Sequence, residues 1–327
     1  MGVVLDSRRA YTDQRISALG EHLGLAEALC EGRACVYATG SFGRGEAHES
    51  SDLDVFIVGH GSKENRDLSR LDEIKIKAQL ILATEEVNIE RFDGDGKYLE
   101  HYTVRELTST LGKADDDVSN TFTARLLLLL ESKPLLAPPV YVAVIENVID
   151  AYWIDYPQNK TDFTPAYLAN DILRLWRTFC VNYEARTSRE PASKNAERKL
   201  KNYKLKYSRL LTCYSGLLYL LALHVRNATV HRQDAMAMIS LTPTQRLEWL
   251  LSQPDLSDAH DGVLALIRSY EHFLEVTRQP KLELLKIFSD AQDSKRHYVE
   301  ASAFGDLVFE VIQKIGQGKK LHRLLLV

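Results

Sequence analysis

The sequence lacks the features that mark several classes of protein. Its 327 residues include 41 Lys and Arg against 45 Asp and Glu, and the formal net charge of −4 argues against a protein that coats nucleic acid through general electrostatics. No stretch approaches the roughly 18 apolar residues of a membrane-spanning helix. The N-terminal residues MGVVLDSRRAYTDQR contain no apolar segment of signal-peptide length. We therefore expect a cytoplasmic protein without a membrane-spanning segment.

The cysteines are few and scattered. Cys30, Cys35, Cys180 and Cys213 form no CxxC pair and have no histidine cluster beside them, which argues against a zinc site. Four separated cysteines in a chain of this length fit a reducing compartment better than a disulfide framework.

The length of the chain and the positions of its prolines predict two domains. The chain is long enough for two hydrophobic cores, and the loop with Pro134, Pro138 and Pro139 is the best candidate for a boundary. Strand signals fade after Asp116. We therefore predict an N-terminal domain of helices and strands over residues 1–133 and an all-helical domain over residues 134–327.

Hydrophobic periodicity gives the element order of the first domain. A helix is predicted for about Ser7–Leu29, two strands within Ala34–Val58, a helix for Asn65–Ile89, and a short strand for Lys97–Val104. Further predicted helices cover about 105–111, 122–130, 140–154, 165–185, 196–224, 244–251, 261–277, 280–288 and 301–315.

The chain is organised around one stretch, ACVYATGSFGRGEAHESSDLDVFIV, which spans Ala34–Val58. It is typical of a strand, a glycine-containing turn and a second strand that opens with Asp52 and Asp54. Side chains two residues apart on a strand point to the same face. Gly40 allows the backbone to approach a phosphate, and Ser41 adds a hydroxyl donor. Because Mg²⁺ binds carboxylate and phosphate oxygens, this pattern favours a metal and phosphate site for nucleotidyl transfer.

The spacing of these residues resembles the signature of the DNA polymerase beta-type nucleotidyltransferase superfamily. Gly40-Ser41, followed after the intervening loop by Asp52-Leu53-Asp54, matches its Gly-Ser and Asp-apolar-Asp pattern. The longer form GSFGRGE…SSDLDVFI is similar to the bacterial branch that contains PII uridylyltransferases and glutamine synthetase adenylyltransferases. The resemblance implies an α+β fold in which a small mixed β-sheet with flanking helices precedes the helical domain. It also implies that Gly40 and Ser41 hold the triphosphate and that Asp52 and Asp54 hold Mg²⁺ or Mn²⁺. The competing interpretation is a glycine turn followed by a solvent-facing Asp pair.

Two residues of the turn have weaker assignments. Arg44 is a candidate for contacting the nucleotide, and pairing with Glu46 or Glu49 is the competing interpretation.

The superfamily resemblance also implies a third carboxylate on a later strand, as general base and metal ligand. We favour Glu100, in YLEHY, as this catalytic and metal-binding residue. Glu90 and the turn residues Asp93 and Asp95 are further candidates, and a site without a third carboxylate is also considered.

A basic segment marks the helical domain. Arg186–Arg209 contains nine Lys and Arg against two Glu. A projection at 100° per residue places an apolar stripe with Tyr203 and Tyr207 on one side, and Lys204 and Ser208 on its border. Since many members of the superfamily take a Lys and a Ser from the helical domain for the triphosphate, these two are our candidates, and the domain is expected to complete the nucleotide cleft. A solvated basic face and a nucleic-acid groove are competing interpretations, and the tyrosines are expected in the core.

A second basic pair lies on the predicted helix 165–185. Arg174 and Arg177, one turn apart, could serve a substrate or the carboxylate of Asp171, and we favour internal ion pairing.

These observations predict a Mg²⁺-dependent nucleotidyltransferase that moves a nucleoside monophosphate from a nucleoside triphosphate, with ATP as the expected donor, to an acceptor hydroxyl and releases pyrophosphate. A protein or small-molecule acceptor is favoured over RNA because of the net charge. The second hypothesis is a catalytically idle nucleotide-binding regulator of the same fold. Base preference, the acceptor and the oligomeric state do not follow from the sequence.

Overall fold

A computed structural model describes residues 2–61, 67–90, 92, 99–188 and 191–326. Apart from the first two residues, the chain divides into two compact units, Val3–Ile154 and the part that begins at Asp155. We refer to them as the first and the second unit. Their division lies later in the chain than the predicted boundary after residue 133, because residues 133–136 form a strand that pairs within the first unit.

The first unit combines helices with a small sheet. Its strands are β1 (Ala34–Thr39), β2 (Asp54–Gly59), β3 (His101–Thr103) and β4 (Lys133–Leu136). Its helices are α1 (Val3–Glu21), α2 (Gly24–Cys30), α3 (Gly40–Gly43), α4 (Arg70–Glu86), α5 (Val104–Ser109), α6 (Asp115–Val118), α7 (Thr121–Leu130) and α8 (Pro138–Tyr152).

The sheet is mixed. Within the described residues its strand order is β3-β2-β1-β4, with β1 antiparallel to both neighbours and β2 parallel to β3. The β1–β2 register pairs Thr39 with Asp54 and Tyr37 with Phe56. The predicted α+β class, a small mixed sheet with flanking helices followed by a helical region, is confirmed.

One face of the sheet carries a row of aromatic rings. Tyr37 stacks on Phe56 with ring centroids 5.7 Å apart, and Phe56 lies 6.1 Å from Tyr102. Tyr141 of α8 covers Tyr37 at 5.9 Å. Because side chains alternate along a strand, Asp54 lies on this same face, two residues before Phe56. The face therefore changes from an aromatic core to an acidic rim at the start of β2.

The opposite face packs on α4. His101 of β3 is buried, and its Nδ1 lies 3.0 Å from Glu73 Oε2. Burial disfavours the charged form of Glu73, but hydrogen bonds from Lys77 and His101 outweigh it and lower the pKa of this carboxyl. Helix α4 is thereby connected to the sheet by the contact between Glu73 and His101.

The second unit is helical throughout its described residues. It contains α9 (Ala166–Thr187), α10 (Asn195–Lys204), a π-helical segment (Leu205–Arg209), α11 (Leu210–Asn227), α12 (Arg232–Ser240), α13 (Pro243–Leu251), α14 (Ser257–Thr277), α15 (Lys281–Ser289), α16 (Ala291–Gly316) and α17 (Lys320–Leu326). Short 3₁₀ helices cover Tyr156–Gln158, Ala192–Lys194 and Pro254–Leu256.

The longest apolar helix of the second unit is a core element. The continuous helix Asn195–Asn227 is long and apolar enough to cross a membrane by length and composition, contrary to the expectation that no stretch would approach this limit. Of its most apolar stretch, 83% is buried inside the protein. Tyr207 stacks on Phe273 and Phe304 at 4.8 and 4.6 Å, so the tyrosine stripe packs in the core as expected.

Three local predictions differ from the structure. The predicted helix 7–29 is broken between Glu21 and Gly24. The strand predicted for residues 97–104 is restricted to His101–Thr103 among its described residues. Strand β4 was not predicted at all, because its Pro134 cannot donate a ladder hydrogen bond, which is tolerated only on an edge strand such as this one.

Candidate functional site

The turn after β1 brings main chain against a carboxylate. Thr39 is extended, and Gly40 then takes the left-handed conformation with φ +63° as it begins α3. A methyl group on Gly40 would lie 2.7 Å from Asp54 Oδ2. Only glycine combines this backbone conformation with so close an approach at low cost. The predicted approach of the Gly40 main chain to a phosphate stays a prediction.

The two aspartates occupy different positions on the strand. Asp54 is the first residue of β2 and lies opposite Thr39. Asp52 precedes the strand and forms an isolated parallel bridge with Glu90. Both are half-buried. The prediction that β2 itself opens with both residues is therefore corrected for Asp52, which lies just outside the regular ladder.

These residues fit a divalent cation by donor type. Carboxylate oxygens are the ligands that Mg²⁺ and Mn²⁺ accept from proteins, with substrate phosphate and water completing the shell. The Asp54 carboxylate lies against the main chain of Gly40, where a Cβ would come within 2.7 Å of Oδ2. Among the residues that the structure describes, no group of three or more His, Cys, Asp or Glu side chains could hold a metal. The assignment of Asp52 and Asp54 as ligands of the cation stays a prediction.

Glu100 lies on the same face of the sheet as Asp54. Its carbonyl oxygen accepts a hydrogen bond from Ile57 N at 3.3 Å, so the pairing of β3 with β2 extends back to this residue. Glu100 precedes Tyr102 by two residues, as Asp54 precedes Phe56, and these two rings are in contact. Burial, followed by the Glu100 charge, raises the pKa of Tyr102 to about 12. The side chain of Glu100 is exposed, and its role as third carboxylate stays a prediction.

Glu90 is the carboxylate residue that the structure brings beside Asp52. The sequence suggested that Glu90 ends a helix, whereas α4 ends at Glu86 and Glu90 pairs with Asp52 in the bridge. Asp93 and Asp95 of the predicted turn lie outside the described residues.

Arg44 is engaged in ion pairs. Its Nε donates to Glu46 Oε2 at 2.8 Å and its Nη1 to Glu131 Oε2 at 2.9 Å, and all three side chains are nearly inaccessible to solvent. Glu46 is one of the two partners considered from the sequence. Glu131 was missed, because it lies just after α7, far along the chain, and no local pattern connects it with the turn.

Gly43 makes a second contact with the same residue. A methyl group on Gly43 would lie 2.0 Å from the main-chain oxygen of Glu131 and 2.9 Å from that of Ala38. The Ser41 carbonyl accepts a hydrogen bond from Glu46 N at 2.8 Å and closes the turn. The segment from Gly43 to Glu46 is therefore held against β1 and Glu131 by main-chain packing and buried charge.

Lys204 and Ser208 belong to the second unit. Lys204 is exposed at the end of α10, and Ser208 is mostly buried in the π-helical segment, where its Oγ donates to the Lys204 carbonyl at 2.8 Å. Because a π turn closes on i→i+5 hydrogen bonds, the projection at 100° per residue fails across residues 205–209. The proposed contact of these two residues with a triphosphate stays a prediction.

The neighbouring basic residues contact aromatic rings. Lys206 Nζ lies 5.6 Å from the ring centre of Tyr298, and Arg209 Cζ lies 5.1 Å from that of Phe179. Such cation–π contacts hold the long side chains against α16 and α9.

The comparisons with known proteins agree with the geometry. Residues 24–95 match the family model of the nucleotidyltransferase domain. The matched segment contains β1, the turn, Asp52, Asp54 and α4. No curated protein and no solved structure was found to match the chain. Residues 24–95 therefore form a nucleotidyltransferase domain of the DNA polymerase beta-type superfamily.

Proposed function

We propose that this protein transfers a nucleoside monophosphate from a nucleoside triphosphate to an acceptor hydroxyl in a reaction that depends on Mg²⁺ or Mn²⁺. The observation that carries the proposal is the close approach of the Gly40 main chain to Asp54 Oδ2, which supports a site where the glycine turn and a candidate metal ligand lie side by side. The family match supports nucleotidyl transfer in general. ATP is the expected donor, and a protein or small-molecule acceptor is favoured over RNA.

The roles follow from the positions of the residues. Asp52 and Asp54 would hold the cation, which when bound neutralises phosphate oxygens and stabilises the leaving pyrophosphate. Gly40 and Ser41 would position the triphosphate through the main chain and a hydroxyl donor. Glu100 would accept the proton of the acceptor hydroxyl. The acceptor oxygen then forms a bond to the α-phosphorus, and the bond from that phosphorus to the pyrophosphate oxygen breaks.

The test is a transfer screen with the full chain. Each α-labelled nucleoside triphosphate is incubated with the protein, Mg²⁺ or Mn²⁺ and candidate acceptors, and both pyrophosphate and labelled product are measured. The wild type should release pyrophosphate. Asp52→Asn/Asp54→Asn should lose transfer altogether and still fold, as judged by circular dichroism. Transfer by this double variant at the wild-type rate would refute the assignment.

A catalytically idle nucleotide-binding regulator is the second candidate. It is favoured by one observation, that no group of three carboxylate or other ligating side chains gathers among the described residues. This hypothesis predicts that labelled nucleoside triphosphate binds to the wild type and not to the double variant, with no pyrophosphate released in any combination of metal and acceptor.

A further inference from the structure

A cavity of about 340 Å³ lies within the second unit, between α9 and α17. Its polar lining comes from Asn170, Arg174, Arg177 and Thr178, and Leu324 and Leu325 belong to its apolar lining. The volume falls in the range of small-molecule sites. The nucleotidyltransferase family match ends at residue 95, so it assigns no role to this cavity.

The polar residues share one stripe of α9. Asn170, Arg174, Arg177 and Thr178 are spaced by four, three and one residues, which places them along one side of a helix. Helix α17 packs against α9 and supplies the two leucines. The cavity thus has all its polar lining on α9, whereas its apolar lining comes from Leu173 and Val181 of α9 and from the two leucines of α17.

Arg177 is the residue that carries the argument. It is exposed, and among the described residues no hydrogen bond or ion pair involves its guanidinium group. Arg174 adds a second positive charge one turn away. Its Nη1 lies 3.9 Å from Asp171 Oδ1, an ion pair within the same helix. The sequence favoured ion pairing for both arginines, and the structure provides a carboxylate contact only for Arg174 within the part of the chain that it describes.

We infer that this cavity binds a phosphomonoester whose ester group is apolar or aromatic. Two guanidinium groups match the charge of a phosphate dianion, and the planar fork of arginine suits its oxygens. The amide of Asn170 and the hydroxyl of Thr178 add hydrogen-bonding groups. The leucines of α17 cover the apolar part of the ligand. This inference is independent of the proposed transfer reaction.

The test is isothermal titration calorimetry of the full chain with phenyl phosphate, in the absence of divalent cations. Arg177→Gln should weaken binding by about tenfold or more, because it removes a charge-assisted contact. Arg268→Gln, which changes an exposed arginine on α14 away from the cavity lining, is the matched control and should bind as the wild type does.

Two further titrations test which site binds phenyl phosphate and which part of the ligand contributes to the affinity. Asp52→Asn/Asp54→Asn should bind phenyl phosphate like the wild type, whereas a loss there would assign the ligand to the nucleotidyltransferase domain and overturn the inference. Inorganic phosphate should bind more weakly than phenyl phosphate, since it lacks the apolar group. Equal affinity of Arg177→Gln and Arg268→Gln, or no binding by the wild type up to about 10 mM, near the weak end of measurable affinity, would also overturn it.

Discussion

Gly40 and Gly43 are the first and last residues of α3, and a methyl group on each would meet a different neighbour. At Gly40 the neighbour is the side-chain oxygen of Asp54, at 2.7 Å, and the glycine has a positive φ. At Gly43 it is the main-chain oxygen of Glu131, at 2.0 Å. Gly40 lets the main chain approach Asp54, a candidate ligand of the metal, and Gly43 lets the turn pack against the main chain of Glu131.

The comparison divides the turn into two halves. The recognition half contains Gly40 and Ser41, and its Gly40 lies against Asp54. The anchoring half contains Gly43, Arg44 and Glu46 and is tied to Glu131. On this division, changes in the first half should act mainly on transfer, and changes in the second half should act mainly on stability.

The largest effect of a single substitution is expected at Glu100, which lies on the same face of the sheet as Asp54. Glu100→Gln should lower the transfer rate by about 10²–10⁴-fold, the usual contribution of a general base. The exposed position of Glu100 leaves the free energy of unfolding nearly unchanged. The measurement is kcat for pyrophosphate release with the metal at saturation.

Glu90→Gln is the matched comparison for this prediction. Glu90 is also exposed and lies beside Asp52 through the isolated bridge. A large loss of kcat in Glu90→Gln, with an active Glu100→Gln, would assign the third carboxylate to Glu90. Full activity in both variants would exclude Glu100 and Glu90 as the general base.

Arg44 tests the anchoring half. Arg44→Met removes the cation shared by two buried carboxylates, so the free energy of unfolding should fall by about 3–5 kcal/mol. Denaturant unfolding followed by circular dichroism measures this loss.

Arg105→Met is the control for Arg44. Arg105 lies exposed on α5 in the same unit. Its replacement should change stability by less than about 0.5 kcal/mol, as for most surface changes. If Arg44 instead binds phosphate, Arg44→Met would keep its stability and raise KM for the nucleoside triphosphate, which would contradict the division of the turn.

How much of this site the sequence predicts depends on how far apart the interacting residues lie along the chain. Gly40, Ser41, Asp52 and Asp54 lie within one short segment whose spacing is itself restrictive, so local reasoning places them together. Glu131 and Arg44 are 87 residues apart in sequence, and no periodicity connects them. Strand β4, which directly follows Ser132, is not recognisable from the sequence, because Pro134 is atypical of a strand. The pairing partner that makes β4 a strand is β1, at the other end of the unit's sequence.

The basic helix shows a second limit of prediction from the sequence. Its apolar stripe was predicted from the helical period of 100° per residue, and Tyr203 and Tyr207 are buried as this period predicts. The π-helical segment Leu205–Arg209 changes the rotation per residue. Side chains after Lys204 are therefore displaced from the positions that a regular helix assigns to them, and Lys206 and Arg209 contact aromatic rings instead of facing only solvent.

Gly40→Ala should affect both the transfer rate and the stability of the protein. The added methyl group must displace Asp54 Oδ2, and a misplacement of this size costs about 100-fold in rate at a reacting centre. The positive φ adds about 1–2 kcal/mol of strain. Gly20→Ala is the control, since a methyl group there meets nothing within 4 Å and should stabilise α1 slightly. Equal transfer rates for the two variants would contradict the role of Gly40.

Ser41 gives the smallest and most specific effect. Its hydroxyl is half-buried beside Gly40, while its carbonyl closes the turn onto Glu46 N. Ser41→Ala keeps that main-chain bond and removes only the hydroxyl, so stability should not change. KM for the nucleoside triphosphate should rise by about tenfold, the value of one hydrogen bond to a charged group. Ser50→Ala, at an exposed position in the loop before β2, is the control and should leave KM unchanged. A fall in unfolding free energy in Ser41→Ala without a change in KM would move Ser41 from the recognition half to the anchoring half.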